Sequence, residues 1–227
     1  MFIPRTTMRT PLPSNKTKSA FSLVELLVVI AIIGIIGSFA VPAVGQLLKG
    51  SSMTQAANML TDQTATARQQ ALARNHSMEV RFYSFTNPEE PGGVSQYRAL
   101  QYFEIAEGGI PNPTGRLMRF ADTVIMNPAP ELSSIFSLNK KTPGANDPDL
   151  PRGVKRNYEY VAFRFLPDGT TSLPPTGGPL HNGQWFITVH LASDLGRTTG
   201  ANPPPNFFTW MIDPVSGSTK ILRPGGK

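Results

Sequence analysis

The chain has 227 residues, enough for one medium domain plus an anchoring segment, and no Cys, which excludes disulfides, thiolate metal sites and Cys nucleophiles. Of its net charge of +6, four charges fall in residues 1–20 (Arg5, Arg9, Lys16 and Lys18, with no acid), leaving +2 for the rest, so its basicity is no argument for a nucleic-acid partner. The 22 Pro, 20 Gly and 13 Phe, with few charges, point to a loop-rich β domain rather than disorder.

The basic stretch leads into an apolar run, Phe21 to Val44. From Leu26 to Leu48 there are 23 positions without a charge, and about 20 apolar residues suffice for a helix to cross a bilayer core. A buried core helix usually keeps a polar stripe. Between Leu26 and Val44 only Ser38 and two glycines interrupt the apolar surface. The run therefore reads as a membrane-spanning helix with its basic flank cytoplasmic. A secretory cleavage site would follow the run, but the small residues there, Ala40 and Ala43, flank Pro42. Glu25 does not fit a plain anchor. It is either a helix-start carboxylate favoured by the helix dipole or a buried acid that needs a cation.

Ser19-Ala20-Phe21-Ser22-Leu23-Val24-Glu25-Leu26-Leu27-Val28 resembles the class III signal of type IV pilins and pseudopilins. The resemblance implies that a prepilin peptidase cuts between Ala20 and Phe21 and that the new Phe21 amine is methylated. It implies that Glu25 pairs with the N-terminal amine of a neighbouring subunit in assembly, and that Pro42 kinks the helix. The residue before the cut is Ala20, where the family usually has Gly.

Beyond Pro42 the helical pattern becomes one-sided. Met53, Ala56, Ala57, Leu60, Thr64, Ala67 and Ala71 recur at steps of three and four, with Asp62, Gln63, Arg68, Gln69 and Gln70 on other faces. The small apolar face suits close packing on a sheet. Pro42 predicts a kink or local break near Phe39 to Pro42. From Phe21 to about Asn75 the helix would span roughly 80 Å at about 1.5 Å per residue. Ala67-Arg68-Gln69-Gln70-Ala71-Leu72-Ala73-Arg74-Asn75 is similar to the helix end of the GspH/FimT group of minor pseudopilins and pilins. The Verru_Chthon cassette protein D group, also pilin-like, is a second possible home. On residue chemistry alone Arg68 and Arg74 read as solvated surface, Asn75 as a left-handed helix stop, and His76 as a partner of the last carbonyls.

Strands and loops follow. Residues 78–85 alternate as a half-buried strand, and 96–105 form a second. Residues 87–93 and 107–115 are Gly/Pro loops. A short strand falls within 117–126, and 127–153 is irregular, with room for a short strand at 134–138. Residues 158–166 are the clearest strand, ending in Phe165-Leu166-Pro167-Asp168-Gly169, a turn sequence that also resembles a GspH-like feature. A Pro/Gly loop at 173–183 precedes a strand at 185–192, with Trp185, Ile187, Val189 and Leu191 on one face and His190, a surface residue, on the other. After a further loop, residues 207–212 and 218–222 form a terminal hairpin.

Little in this sequence carries chemistry. His76, His181 and His190 lack ligand spacing, and no nucleophile elbow is present. Gly177-Gly178 lacks the Lys-Ser/Thr of a phosphate loop. Asn146-Asp147-Pro148-Asp149 reads as a polar turn before it reads as a calcium loop. The expectation is no enzyme, no cofactor and no metal. The expected fold class is α+β: a basic leader (1–20), the transmembrane part of a helix (21–48), its amphipathic part (49–76) and a periplasmic antiparallel β domain (77–227). The family resemblance implies a minor pilin or pseudopilin in a type II secretion or type IV pilus-like fibre. Its expected partners are the prepilin peptidase, other subunits, an inner-membrane assembly platform and membrane lipid. The competing reading is a DNA-binding minor pilin of an uptake machine. The basic clusters Lys220, Arg223, Lys227 and Arg152, Lys155, Arg156 are its only footing, and they lack aromatic interleaving.

Overall fold

The computed structural model describes residues 22–90, 92–145, 147–151, 153–175, 183–198 and 200–224, the side chains of 39–44 and 46 excepted. The chain divides into two units, Met1–Gly45 and Gln46–Lys227, and the division falls inside a single helix. That helix, α1 (Leu23–Arg74), has 52 residues. It runs through Pro42 without interruption, so no local break occurs there. A proline removes one hydrogen bond, and the bonds on either side maintain the helix. Asn75 ends it with φ 55°, the left-handed stop expected of Asn.

In the second unit, α1 packs on an antiparallel sheet through the face the periodicity marks: Met53, Ala56, Ala57, Leu60, Thr64, Ala67 and Ala71 are all buried. Four alanines let the helix backbone approach the sheet closely. Thr64 is accommodated because its hydroxyl donates to the Leu60 carbonyl at 2.6 Å.

The strands are β1 (Met78–Phe85), β2 (Gln96–Ile105), β3 (Pro111–Pro113), β4 (Met118–Arg119), β5 (Val124–Met126), β6 (Glu159–Phe165), β7 (Trp185–Leu191), β8 (Phe207–Ile212) and β9 (Thr219–Leu222). Their order in the sheet is β6-β1-β2-β5-β7-β8-β9, with β3 and β4 also pairing with β2. The α1 side of the sheet carries Val80, Phe82, Leu100, Phe163, Ile187, Val189, Phe208 and Trp210 in one core cluster. Alternation in β7 sends Trp185, Ile187, Val189 and Leu191 into that core, as the sequence predicts. The lateral edge of β6 is bridged by Lys141, whose backbone exchanges hydrogen bonds of 2.8 and 2.9 Å with Tyr160.

Some elements depart from the sequence reading. All eight residues of β1 are buried, where alternation predicts a half-buried strand. The cause is a second layer: Leu150, Val154 and Tyr158, from the irregular region and just after it, cover Tyr83, Phe85, Ala99 and Phe103 on the sheet's outer side. Residues 134–137 form a 3-10 turn rather than a strand. This turn buries Ile135 and Phe136, and Phe136 stacks on Tyr97 with centroids 3.9 Å apart. The 117–126 segment holds two short strands instead of one, β3 lies in a predicted loop, and Ala192–Arg197 forms a 3-10 turn.

His190 is buried, not at the surface. Its Nδ1 lies 2.8 Å from the Leu191 carbonyl and its Nε2 lies 2.9 Å from Asn127 Nδ2. This network fits the tautomer in which Nδ1–H donates to Leu191 and Nε2 accepts from Asn127. Burial holds its pKa below the ordinary 6.5, outweighing the Leu191 carbonyl and Asp194, which favour the charged ring. The unfolded chain therefore binds a proton that the folded chain refuses. The stability this group contributes is complete above about pH 6.5 and is lost as pH falls towards the folded value. Lowered carboxylates such as Glu79 act only below about pH 4.5. Denaturant unfolding should show stability falling between about pH 7.5 and 5.5, with a flatter profile in His190→Gln. An unchanged slope in that variant would assign the effect to another group.

Candidate processing and assembly segment

The first unit presents an apolar helix surface with little cover of its own. Leu23, Val24, Leu26, Leu27, Ile30, Ile33 and Ile36 are each more than half exposed and point in all directions around the helix. Among the described residues no helix is long and apolar enough to cross a membrane. The contiguous part of the run with described side chains, 22–38, is shorter than the about 20 residues a bilayer core requires.

Ser22 and Glu25 define the start of α1. The Ser22 N–H donates to Glu25 Oε2 at 2.9 Å, and the Glu25 N–H donates to Ser22 Oγ at 3.2 Å. This is a reciprocal capping box, which satisfies two of the orphan donors at a helix N-terminus. The Ser-x-x-Glu spacing is the sequence signature of this cap. Glu25 is thus engaged within its own chain. Ala20 and Phe21 lie outside the described residues, as does the Pro42 side chain.

At its other end α1 is tied to the sheet domain by residues that read as solvated surface. Arg68 is half-buried, and its Nε–H donates to the Gly169 carbonyl at 3.2 Å. Arg74 Nη1 donates to Glu104 Oε2 at 2.6 Å, and His76 Nδ1 lies 2.7 Å from the other Glu104 oxygen. His76 therefore pairs with Glu104, not with the last helix carbonyls. Hydrogen bonds from His76 and Arg74 hold the Glu104 carboxyl below its usual range. Asp168 is a turn residue: its Oδ1 accepts from the Thr170 hydroxyl at 2.7 Å and the Thr170 N–H at 2.9 Å.

The Asp147 carboxylate is occupied by protein donors. It accepts from Arg81 Nη1 at 2.5 Å and from the Gly144 N–H at 2.7 Å. Asp149 pairs with Arg156 at 3.0 Å, and Asn146 lies outside the described residues. Among the described residues no group of three or more His, Asp or Glu could hold a metal ion. Arg152, Gly177, Gly178, His181 and Lys227 also lie outside them. Of that basic cluster, Arg156 is engaged by Asp149 and by the Gly144 and Ala145 carbonyls.

Residues 15–41 match the prokaryotic N-terminal methylation motif. The motif spans Ala20, Phe21 and the Ser22–Glu25 cap and runs well into the exposed apolar helix. No curated protein matches the chain. The fold is similar to a solved structure of the minor pseudopilin EpsH from the Type 2 Secretion System of Vibrio cholerae, with 7% identity and a TM-score of 0.41, covering 77% of this chain and 99% of that one. It is also similar to the type IV minor pilin FimU of Pseudomonas aeruginosa, with 14% identity and a TM-score of 0.38, covering 79% of this chain and 92% of that one. Overlaps this loose carry no weight for function.

Proposed function

We propose that the chain is a minor subunit of a pilus-like fibre of the type II secretion or type IV pilus kind, anchored and assembled through the first half of α1. The observation that carries this reading is the methylation motif laid over an apolar helix whose surface is largely exposed. Such a surface calls for lipid or for the helices of neighbouring subunits. On this reading a prepilin peptidase removes residues 1–20 and Phe21 is methylated. Residues 21–48 cross the inner membrane, Pro42 bends the helix, and the domain from 77 onward lies in the periplasm. Glu25 then exchanges its bond to the Ser22 N–H for the charged Phe21 amine of a neighbour, an attraction that is strongest where water is excluded. The assembly platform is a further expected partner.

The primary test is the mature N-terminus, read by intact-mass spectrometry of the membrane fraction. The expected mass begins at N-methyl-Phe21. An intact leader, or a cut beyond the apolar run, would overturn the proposal. A second experiment separates the two roles of Glu25. Gln also serves at the third helical position of a capping box, so Glu25→Gln keeps the cap and loses the charge. Processing should persist in Glu25→Gln and Glu25→Ala alike, while recovery in sheared fibres drops at least about tenfold, the equivalent of one lost 1.4 kcal/mol interaction. Normal recovery of the Gln variant would reduce Glu25 to a capping residue.

A further inference from the structure

The outer side of the sheet holds two arginines with more donors than the described residues supply acceptors. In the β1–β2 register, Tyr83 faces Ala99 and Ser84 faces Tyr97, so Arg98 is the extra residue of a β-bulge. Bulges redirect a side chain out of the regular alternation. The Arg98 side chain is only 4% exposed. Its Nε and Nη2 both donate to Gln96 Oε1. Its Nη1 is buried and makes no hydrogen bond, the Asp122 carboxylate being 3.9 Å away. Arg119, opposite Ala99 on β4, lies beside it. Arg119 Nη2 donates to Asp122 Oδ1 at 2.7 Å and Asn87 Oδ1 at 3.2 Å, and its guanidinium sits over the Phe85 ring at 5.3 Å. Arg119 Nε is likewise buried without an acceptor.

Arg119 and Asp122 line a cleft of about 410 Å³ whose other walls include Met59, Phe85, Leu117 and Val154. Charge compensation is incomplete. Burial pulls the Arg98 pKa down and the charge of Arg119 adds to the fall, and Glu90 and Asp122, 4.0 and 3.9 Å away, do not restore it. Among the described residues Asp122 is the one carboxylate close to both guanidiniums, and it reaches them unequally, at 2.7 and 3.9 Å. The unpaired Arg98 Nη1 and Arg119 Nε are themselves closed to solvent and raise the cost of the buried positive charge, while Arg119 lines the cleft and a guanidinium fork matches the two oxygens of a carboxylate. The lining is mixed, and the apolar side chains that stand beside Arg119 and Asp122 favour an apolar body attached to the charge over a bare inorganic ion.

We propose that this cleft binds a carboxylate carried on an apolar body, either a free organic acid or the C-terminus of a peptide. Arg119 is its hydrogen-bond donor, Arg98 supplies a second positive charge from behind, and Asp122 competes for the same donors. Asp122 is positioned to swing aside, since its side chain is 41% exposed. The inference does not depend on the fibre reading.

The test uses the full chain in detergent micelles, with the arginine Nε–H resonances followed by NMR during titration with benzoate. The Arg119 resonance is assigned by its loss in Arg119→Lys. Benzoate should shift it saturably, and the isosteric neutral benzamide should not. Asp122→Asn, which removes the competitor, should bind benzoate several-fold more tightly. A merely structural role for these residues would not produce that gain. Arg119→Lys, followed through the Arg98 Nε–H resonance, should bind at least about fivefold more weakly, the fork being lost. A peptide ending in Gly-Leu-Phe with a free carboxylate, set against its amide, distinguishes the sources: tighter binding than benzoate assigns a chain terminus, and binding by benzoate alone assigns a free acid. Absence of saturable shifts with both probes, equal shifts with benzamide, or weaker binding in Asp122→Asn would overturn the proposal.

Discussion

Arg81→Leu is expected to destabilise the sheet domain by about 3–5 kcal/mol, the range for breaking a buried ion pair from one side. Arg81 is 2% exposed, and its guanidinium joins two buried carboxylates, Glu79 at 2.7 Å and Asp147 at 2.5 Å. It is also held between the rings of Phe103 and Tyr160, at 4.1 and 4.5 Å. Burial alone would push the Glu79 carboxyl up. The hydrogen bond and charge of Arg81, with help from Arg164, outweigh that and keep it ionised. Removing Arg81 leaves Glu79 with only the half-exposed Arg164 at 3.0 Å, and leaves Asp147 without its cation. Asp147 also fastens the 141–158 segment over the sheet, so the second layer should loosen as well. Urea unfolding followed by Trp185 and Trp210 fluorescence gives the number. The triple variant with Glu79→Met and Asp147→Leu should recover most of the loss, because an apolar replacement of a whole buried ion cluster is often neutral. A loss below about 1 kcal/mol for Arg81→Leu alone would mean the carboxylates find water instead.

Gly217→Ala should cost about 2–4 kcal/mol, combining left-handed backbone strain with overpacking. Gly217 has φ 65°, and a Cβ there would stand 2.5 Å from the Gly169 carbonyl oxygen and 2.9 Å from Arg68 Nε. That oxygen is the one Arg68 bonds, so the added methyl disrupts the junction of the helix with both turns. Gly200→Ala is the control. Its φ is 56°, with nothing within 4 Å of the added Cβ, so only about 1–2 kcal/mol of backbone strain should appear. Equal losses in the two variants, measured by urea unfolding, would show that the contact with Gly169 is immaterial.

Most of the architecture was legible because it rests on periodicity. The buried face of α1 came out residue by residue, since a helix set on a sheet exposes what its 3.6-residue repeat dictates. The long strands and the Asp168 turn were legible for the same local reasons. What failed depended on distant partners. Nothing near Arg81 in sequence announces Asp147, 66 positions away, so β1 read as half-buried. Arg68 and Gly169 are separated by 101 positions, and the helix surface gave no hint of their bond. His190 read as exposed because alternation fixes the face a residue occupies, not whether that face is covered. In the candidate assembly segment, the spacing of Ser22 and Glu25 was visible, and only the geometry turned it into a cap.

The lateral edges of the sheet have a consequence for how copies of this chain can associate. A long unpaired edge strand is a template for strand addition by any neighbour. At one edge the Lys141 backbone already bonds Tyr160 of β6. At the other, β9 is only four residues long, carries Lys220 and is followed by Pro224. Short length, a lysine and a nearby proline are the means by which natural sheets avoid such templating. Even where many copies crowd together, the described edges are poorly suited to joining edge to edge, and on the proposed fibre reading copies meet instead through the exposed apolar helix of residues 23–36.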